Sequence, residues 1–104
     1  MYITLSPIRM DTTLSLHRAG DVLTINGTDY DFTPLAEGAV LPRAAVACPW
    51  LASDVTREGG VIRLTLILPH GAEAGPARLH PAPLDLTGDG PVLLPADGPE
   101  ETAQ

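Results

Sequence analysis

The thiol and imidazole side chains, which could ligate zinc or form a nucleophilic pair, are few: Cys48, His17, His70 and His80. A zinc site usually draws on paired ligands about two to four residues apart, and these residues lack that spacing. A cysteine–histidine pair would also need an orienting third group and oxyanion donors, which the sequence does not mark. We therefore predict a buried thiol, solvent-exposed histidines, no metal and no enzymatic activity.

Two carboxylates, Asp29 and Asp31, have the spacing of a pair that could carry acid–base chemistry. They alternate with Tyr30 and Phe32, as the outward residues of a half-buried strand do, so we interpret them as a solvated face. The pair Gly59-Gly60 is not followed by the lysine of a phosphate-binding loop. The sequence thus predicts neither catalytic nor cofactor-binding residues.

The candidate contacts for a protein partner are Trp50, His70 and His80. Tryptophan is enriched in interface hot spots, so Trp50 beside Pro49 could anchor a partner. It could instead cover one end of the core, and we favour this interpretation because the chain has few other aromatic residues.

The segment that must organise the fold is residues 54–68, DVTREGGVIRLTLIL. It predicts a β-hairpin with a tight Gly59-Gly60 turn, whose second strand buries alternate aliphatic residues and ends at Pro69. This turn pairs Glu58 with Val61. The register that follows pairs Val55 with Leu64, Thr56 with Arg63, Asp54 with Thr65 and Leu51 with Leu68.

A three-stranded meander is predicted over residues 12–33. A four-residue loop at 18–21 would set Leu16 opposite Leu23, Leu14 opposite Ile25 and His17 opposite Val22. Asn26-Gly27 is a strong signal for a type I′ turn, which pairs Ile25 with Thr28 and Leu23 with Tyr30. The predicted core combines this meander with the hairpin: Leu14, Leu16, Leu23, Ile25, Tyr30, Phe32, Val55, Leu64, Leu66 and Leu68.

The remaining segments are predicted more coarsely. Residues 1–9 form a strand that Pro7 assigns to an edge or a bulge, and residues 39–41 form a short strand. Pro42 begins one or two helical turns that end near Cys48. Residues 69–83 form a loop, residues 84–87 and 92–94 a last hairpin, and residues 95–104 a disordered acidic tail. The expected domain is therefore residues 1–94.

Composition narrows the class of protein. The chain has 104 residues, including eleven prolines and ten glycines, which favours many short strands over long helices. We expect an all-β fold, an antiparallel meander of about six to eight strands folded into a sandwich or small open barrel. The net charge of −7 argues against nucleic acid, and no apolar segment is long enough for a membrane span. A single cysteine is compatible with the cytoplasm.

Four blocks of the sequence form a recognisable set: LSPIRMD, DVLTINGTDYDFTPLAEGAVLP, LTLILPHG and GPVLLP. Together they resemble short, uncharacterised proteins that bacterial prophages encode near tail and tail-fibre genes. The resemblance implies a phage-derived accessory or structural protein, found in the cytoplasm or associated with the virion. It implies no catalytic residues.

The function expected from these features is a non-catalytic protein–protein interaction or assembly role. Exposed strand edges at residues 1–9 and 92–94 could recruit another chain, either a second copy or a tail component. The alternative is a small ligand- or carbohydrate-binding β-module. Sugar stacking would have to use Trp50, Tyr2 and Tyr30.

Overall fold

The computed structural model describes residues 1–10, 12–71 and 76–94. In this part of the chain the fold is all-β, as predicted: nine strands form two sheets that do not close into a barrel. The larger sheet has the order β5-β6-β7-β1-β8 and the smaller one β4-β3-β2-β9. The strands are β1 (Tyr2–Arg9), β2 (Leu16–Ala19), β3 (Val22–Ile25), β4 (Thr28–Asp31), β5 (Val40–Leu41), β6 (Val55–Glu58), β7 (Val61–His70), β8 (Leu84–Asp85) and β9 (Gly90–Pro91).

The β6–β7 hairpin confirms the predicted turn. Gly59 and Gly60 have φ values of 60° and 78°, which a tight hairpin requires. Glu58 pairs with Val61 and Thr56 with Arg63. The even-numbered aliphatic residues of β7 are all buried: Ile62, Leu64, Leu66 and Leu68.

At the end of the hairpin away from its turn, the predicted register is wrong. Leu51 bridges Leu66 rather than Leu68. The Ala52 N–H still donates to the Thr65 carbonyl at 2.8 Å. Beyond it the ladder is interrupted, because the Ser53 hydroxyl takes the place of a strand carbonyl and accepts the Thr65 N–H at 2.8 Å. The shift is by two residues, so Leu51 still points into the core and is buried.

Strand β7 also runs further than predicted, through Pro69 to His70. The Ile67 N–H points towards the side of β6 and donates to the Trp50 carbonyl at 2.8 Å. By the two-residue period of a strand, the Pro69 nitrogen points to that same side. No strand of the described residues pairs with β7 there, so the missing N–H of Pro69 breaks no ladder bond.

The β2–β3–β4 meander is confirmed, with one change of register. Asn26 and Gly27 have φ values of 49° and 85°, and Leu23 pairs with Tyr30 as predicted. The preceding loop is the two-residue turn Gly20-Asp21, so Leu16 pairs with Ile25 instead of Leu23. Gly20 has a φ of 62°.

Strand β1 differs most from its prediction. It lies between β7 and β8 and pairs with β7 in parallel along its whole length, so the sheet is not wholly antiparallel. Its partner on the other side, β8, reaches Tyr2 and Ile3 alone. Pro7 lies inside the strand, and the register with β7 continues through it without a bulge.

The last two strands do not form the predicted hairpin. β8 pairs with β1 and β9 pairs with β2, so the segment between them crosses from one sheet to the other. The predicted helical segment is a single 3₁₀ turn, Arg43–Ala45. A second single turn, α1 (Pro76–Leu79), lies in the predicted loop. The predicted tail, 95–104, lies outside the described residues. No helix among the described residues is long and apolar enough to cross a membrane.

One cluster of buried side chains draws on both sheets. All ten predicted core residues belong to it or pack against it; nine are buried and Tyr30 is half-buried. Among the described residues, the structure adds five buried members to this cluster: Met1, Ile3, Leu5, Leu51 and Ile62. Three of these precede or belong to β1, because its parallel pairing brings it into the middle of the larger sheet.

Candidate functional site: the open edge of β1

The predicted reactive side chains differ in their exposure. Cys48 is half-buried rather than buried. Burial, and then the interaction with the neighbouring Cys48 side chain, raise the pKa of Tyr30. His17 and His80 are exposed as predicted, whereas His70 is half-buried, with Nδ1 2.9 Å from the Gly71 carbonyl oxygen. Within residues 1–10, 12–71 and 76–94, no group of three His, Cys, Asp or Glu side chains could hold a metal ion.

The three candidate partner contacts lie around the C-terminal end of β7. Trp50 is half-buried against the core, and its carbonyl accepts the Ile67 N–H. His70 is the last residue of β7. His80 follows α1, which is tied to β7 by a 3.1 Å hydrogen bond from Arg78 to the Pro69 carbonyl. Among the described residues, no side-chain hydrogen bond joins Trp50, His70 and His80 to one another.

The C-terminal end of β7 pairs in parallel with the second half of β1. Ile8 pairs with Pro69 and Arg9 with His70. On the opposite side of β1, β8 pairs with Tyr2 and Ile3. Beyond Ile3, no strand of the described residues pairs with that side of β1. Among the described residues, 4–9 therefore form a strand edge without a neighbouring strand, which we call the open edge; it is roughly 20 Å long, at about 3.3 Å per residue.

The direction of the backbone groups along this edge follows from two hydrogen bonds. The Met10 N–H donates to the His70 carbonyl on β7 at 3.1 Å, and the Met1 carbonyl accepts the Leu86 N–H beside β8 at 2.8 Å. N–H and C=O groups of alternate residues point to opposite sides of a strand. Leu5, Pro7 and Arg9 therefore point their backbone groups out of the sheet.

The Pro7 nitrogen points away from β7, so the N–H that proline lacks costs no hydrogen bond to β7. The edge then offers two donors, the N–H groups of Leu5 and Arg9, and three carbonyl acceptors. Two large apolar side chains flank it: Ile8 is 42% exposed and Met10 is 36% exposed. An unpaired ladder beside exposed aliphatic side chains can accept an added strand.

Sequence reasoning found part of this site. Pro7 marked residues 1–9 as an edge, and the structure limits the open part to residues 4–9. The direction of the edge and its apolar flank depend on parallel pairing with β7, which the sequence pattern does not encode.

Tyr2, Tyr30 and Trp50, the aromatic residues of the predicted carbohydrate site, each contact a different part of the protein. The Arg63 guanidinium lies 5.2 Å from the centre of the Tyr2 ring, and the Tyr30 hydroxyl is 3.4 Å from the Ala47 carbonyl oxygen. Trp50 packs on the core. None of the three side chains is fully exposed.

Comparison of this chain with models of protein families, with curated proteins and with solved structures gave no match.

Proposed function

We propose that this chain is a non-catalytic interaction or assembly protein that binds an extended segment of a partner polypeptide along the open edge of β1. The observation that carries the proposal is the edge itself: residues 4–9 pair with β7 on one side and with no described strand on the other. Added strands gain affinity from main-chain hydrogen bonds and specificity from alternate side chains.

The chemistry of the partner follows from the edge and its surroundings. Each main-chain hydrogen bond contributes about 0.5–1.5 kcal/mol net, so the few available here need support from apolar contact. Ile8 and Met10 supply that surface, which favours aliphatic residues at alternate positions of the partner segment. The net charge of −7 favours a segment that also carries basic residues.

The resemblance of four sequence blocks to prophage proteins encoded near tail genes supports a phage-tail component as the partner. In this role the protein acts in the cytoplasm during assembly or remains with the virion. A second copy of the chain is a weaker candidate because two molecules with a charge of −7 repel each other.

A carbohydrate-binding role has less support. Such sites stack sugars on exposed aromatic rings, and the Arg63 guanidinium already lies over the ring of Tyr2. Trp50, the largest aromatic side chain, is half-buried in contact with the core.

The test is crosslinking capture of a tail component with the full chain and two variants of one edge residue. Arg9→Pro removes an N–H that points out of the sheet and adds a ring on the open side, without removing a bond to β7. Arg9→Ala removes the side chain and keeps the N–H. We expect Arg9→Pro to reduce capture at least about tenfold and Arg9→Ala to retain most of it.

Equal capture by Arg9→Pro and the unmodified chain would contradict the proposal, provided that both melt at the same temperature. Equal losses in both variants would show that the arginine side chain binds the partner, and strand addition would be excluded. Saturable chemical-shift changes around Trp50 with a small sugar, together with no captured protein, would favour the carbohydrate alternative.

A further inference from the structure

We propose that a cavity beside Arg78 binds a carboxylate attached to an apolar group. The cavity has a volume of about 390 Å³. It lies between the segment that precedes β2, the residues around β9, Pro69 of β7 and Arg78 of α1. This site is separate from strand addition at β1 and does not depend on it.

Arg78 is the residue that points to an anionic ligand. Its Nη1 donates to the Pro69 carbonyl at 3.1 Å, while its Nε is buried and has no hydrogen-bond partner among the described residues. Within the described residues, no carboxylate forms an ion pair with this guanidinium. The contrast is with Arg57, which donates to Asp21 and to two carbonyls.

An arginine has five N–H donors, and burying one of them unpaired has a free-energy cost. The group that satisfies an Nε and a neighbouring Nη together is a planar anion with two oxygens, which binds side-on in a bidentate arrangement. A carboxylate has this shape and the opposite charge.

The walls of the cavity indicate what the carboxylate is attached to. The segment before β2 contributes three hydroxyl residues, Thr12, Thr13 and Ser15. The residues after β9 contribute aliphatic surface from Val92 and Leu94. Mixed walls of this kind suit a ligand with one charged end, some hydrogen-bonding capacity and a short aliphatic body.

The hydroxyl wall is held in place by the turn that begins β4. The Asn26 side chain accepts the Ser15 N–H at 2.7 Å and donates to the Thr13 carbonyl at 3.1 Å. These bonds fix the segment before β2 relative to the smaller sheet. The cavity therefore has a preformed wall, which reduces the ordering cost of binding.

Titration of the isotope-labelled full chain followed by NMR tests the site. The probes are hexanoate and hexan-1-ol, which differ in the charged group. We expect saturable shifts at the Ser15 and Val92 amides and at the Arg78 Nε–H with hexanoate, and at least about tenfold weaker binding of hexan-1-ol.

N-acetyl-leucyl-leucine and its C-terminal amide then distinguish a polypeptide carboxyl terminus from a free acid. Tighter binding of the dipeptide acid than of hexanoate assigns the ligand as a carboxyl terminus.

Arg78→Met should weaken hexanoate binding at least about tenfold, and Arg78→Lys, which keeps the charge but loses the fork, should weaken it less. Arg43→Met is the matched control, because Arg43 is exposed and does not line the cavity; it should bind as the unmodified chain does. Equal affinity for hexanoate and hexan-1-ol, unchanged binding in Arg78→Met, or no saturable shift in the unmodified chain would each overturn the proposal. If Arg78→Met does not fold, the two probes and Arg78→Lys decide the question.

Discussion

Gly27 adopts a φ of 85° at the turn between β3 and β4, and a Cβ placed there would meet no atom within 4 Å. Any cost of a larger residue therefore comes from the backbone conformation. We expect Gly27→Val to lower the free energy of unfolding by more than about 1 kcal/mol, because a β-branched residue resists positive φ. Gly88→Val is the control, since Gly88 has equal space and lies outside the left-handed region. Urea denaturation measures both, and equal stability of the two variants would contradict the turn.

Asp31 offers a prediction on pH. The hydroxyl and the backbone N–H of Thr33 donate to its carboxylate and lower its pKa. A lowered pKa means that the stabilising contribution is present above the pKa of the unfolded chain and is lost as pH falls through the folded value. Thr33→Val should raise the pKa of Asp31 towards its ordinary value in an NMR titration, and Thr28→Val should leave it unchanged. An unaltered pKa in Thr33→Val would rule out the hydroxyl as a cause.

Single residues also show where sequence reasoning succeeds and where it stops. Asn26-Gly27 and Gly59-Gly60 were predictable because their preference for positive φ acts within one turn. The turn at Gly20-Asp21 was placed wrongly because a slip of two residues leaves the same side chains inside. A contact from far along the chain favours the observed turn: the Gly20 N–H donates to the Asp89 carboxylate, 69 residues away in sequence.

At the scale of elements, β7 is the strand on which the larger sheet depends. Leu66 has no exposed surface; it pairs with Leu5 of β1 on one side and bridges Leu51 on the other. We expect Leu66→Ala to lower the free energy of unfolding by about 2–5 kcal/mol. Leu93→Ala is the matched control, because Leu93 is 91% exposed and should change stability by less than about 0.5 kcal/mol. Similar melting of the two variants would show that β7 is peripheral.

The parallel pairing of β1 with β7 could not be predicted from the sequence. Alternation in β1 identifies the buried face, Ile3 and Leu5, but does not identify the neighbouring strand. Pro7 was expected to mark an edge or a bulge and Pro69 the end of a strand, although both lie within strands. Their nitrogens point to sides without a described ladder, and this orientation is known only when the neighbours are known. The sequence therefore predicted which residues form the candidate edge, but not which strand pairs with it or which way its backbone groups point.

At the scale of the whole molecule, Arg57 joins the two sheets. It extends from β6 in the larger sheet, and its guanidinium donates to the Asp21 carboxylate and to the carbonyls of Phe32 and Leu35. The Arg57 side chain is 15% exposed, so its loss leaves three acceptors poorly solvated. Arg57→Met should lower the free energy of unfolding by about 2 kcal/mol or more.

Arg63→Met is the control for Arg57→Met; we call the hydrogen bonds of Arg57 between the two sheets the clamp. Arg63 pairs with Glu58 at 3.7 Å, and both side chains are largely exposed, so its loss should cost no more than about 1 kcal/mol. Thermal unfolding followed by circular dichroism and by Trp50 fluorescence should give coincident transitions in both variants, since the core cluster spans both sheets. Equal losses in Arg57→Met and Arg63→Met would show that the clamp does not hold the sheets together.

The central claim is that the edge of β1 is open in the free protein and closes on a partner strand. Amide hydrogen exchange measured residue by residue tests it in the free chain and in the crosslinked complex. The Leu5 and Arg9 amides, which point out of the sheet, should exchange quickly in the free chain and slowly in the complex. The Ser6 and Ile8 amides, which by the two-residue period point to β7, should exchange slowly in both. Slow exchange of Leu5 and Arg9 in the free chain, or fast exchange of both in the complex, would contradict this account.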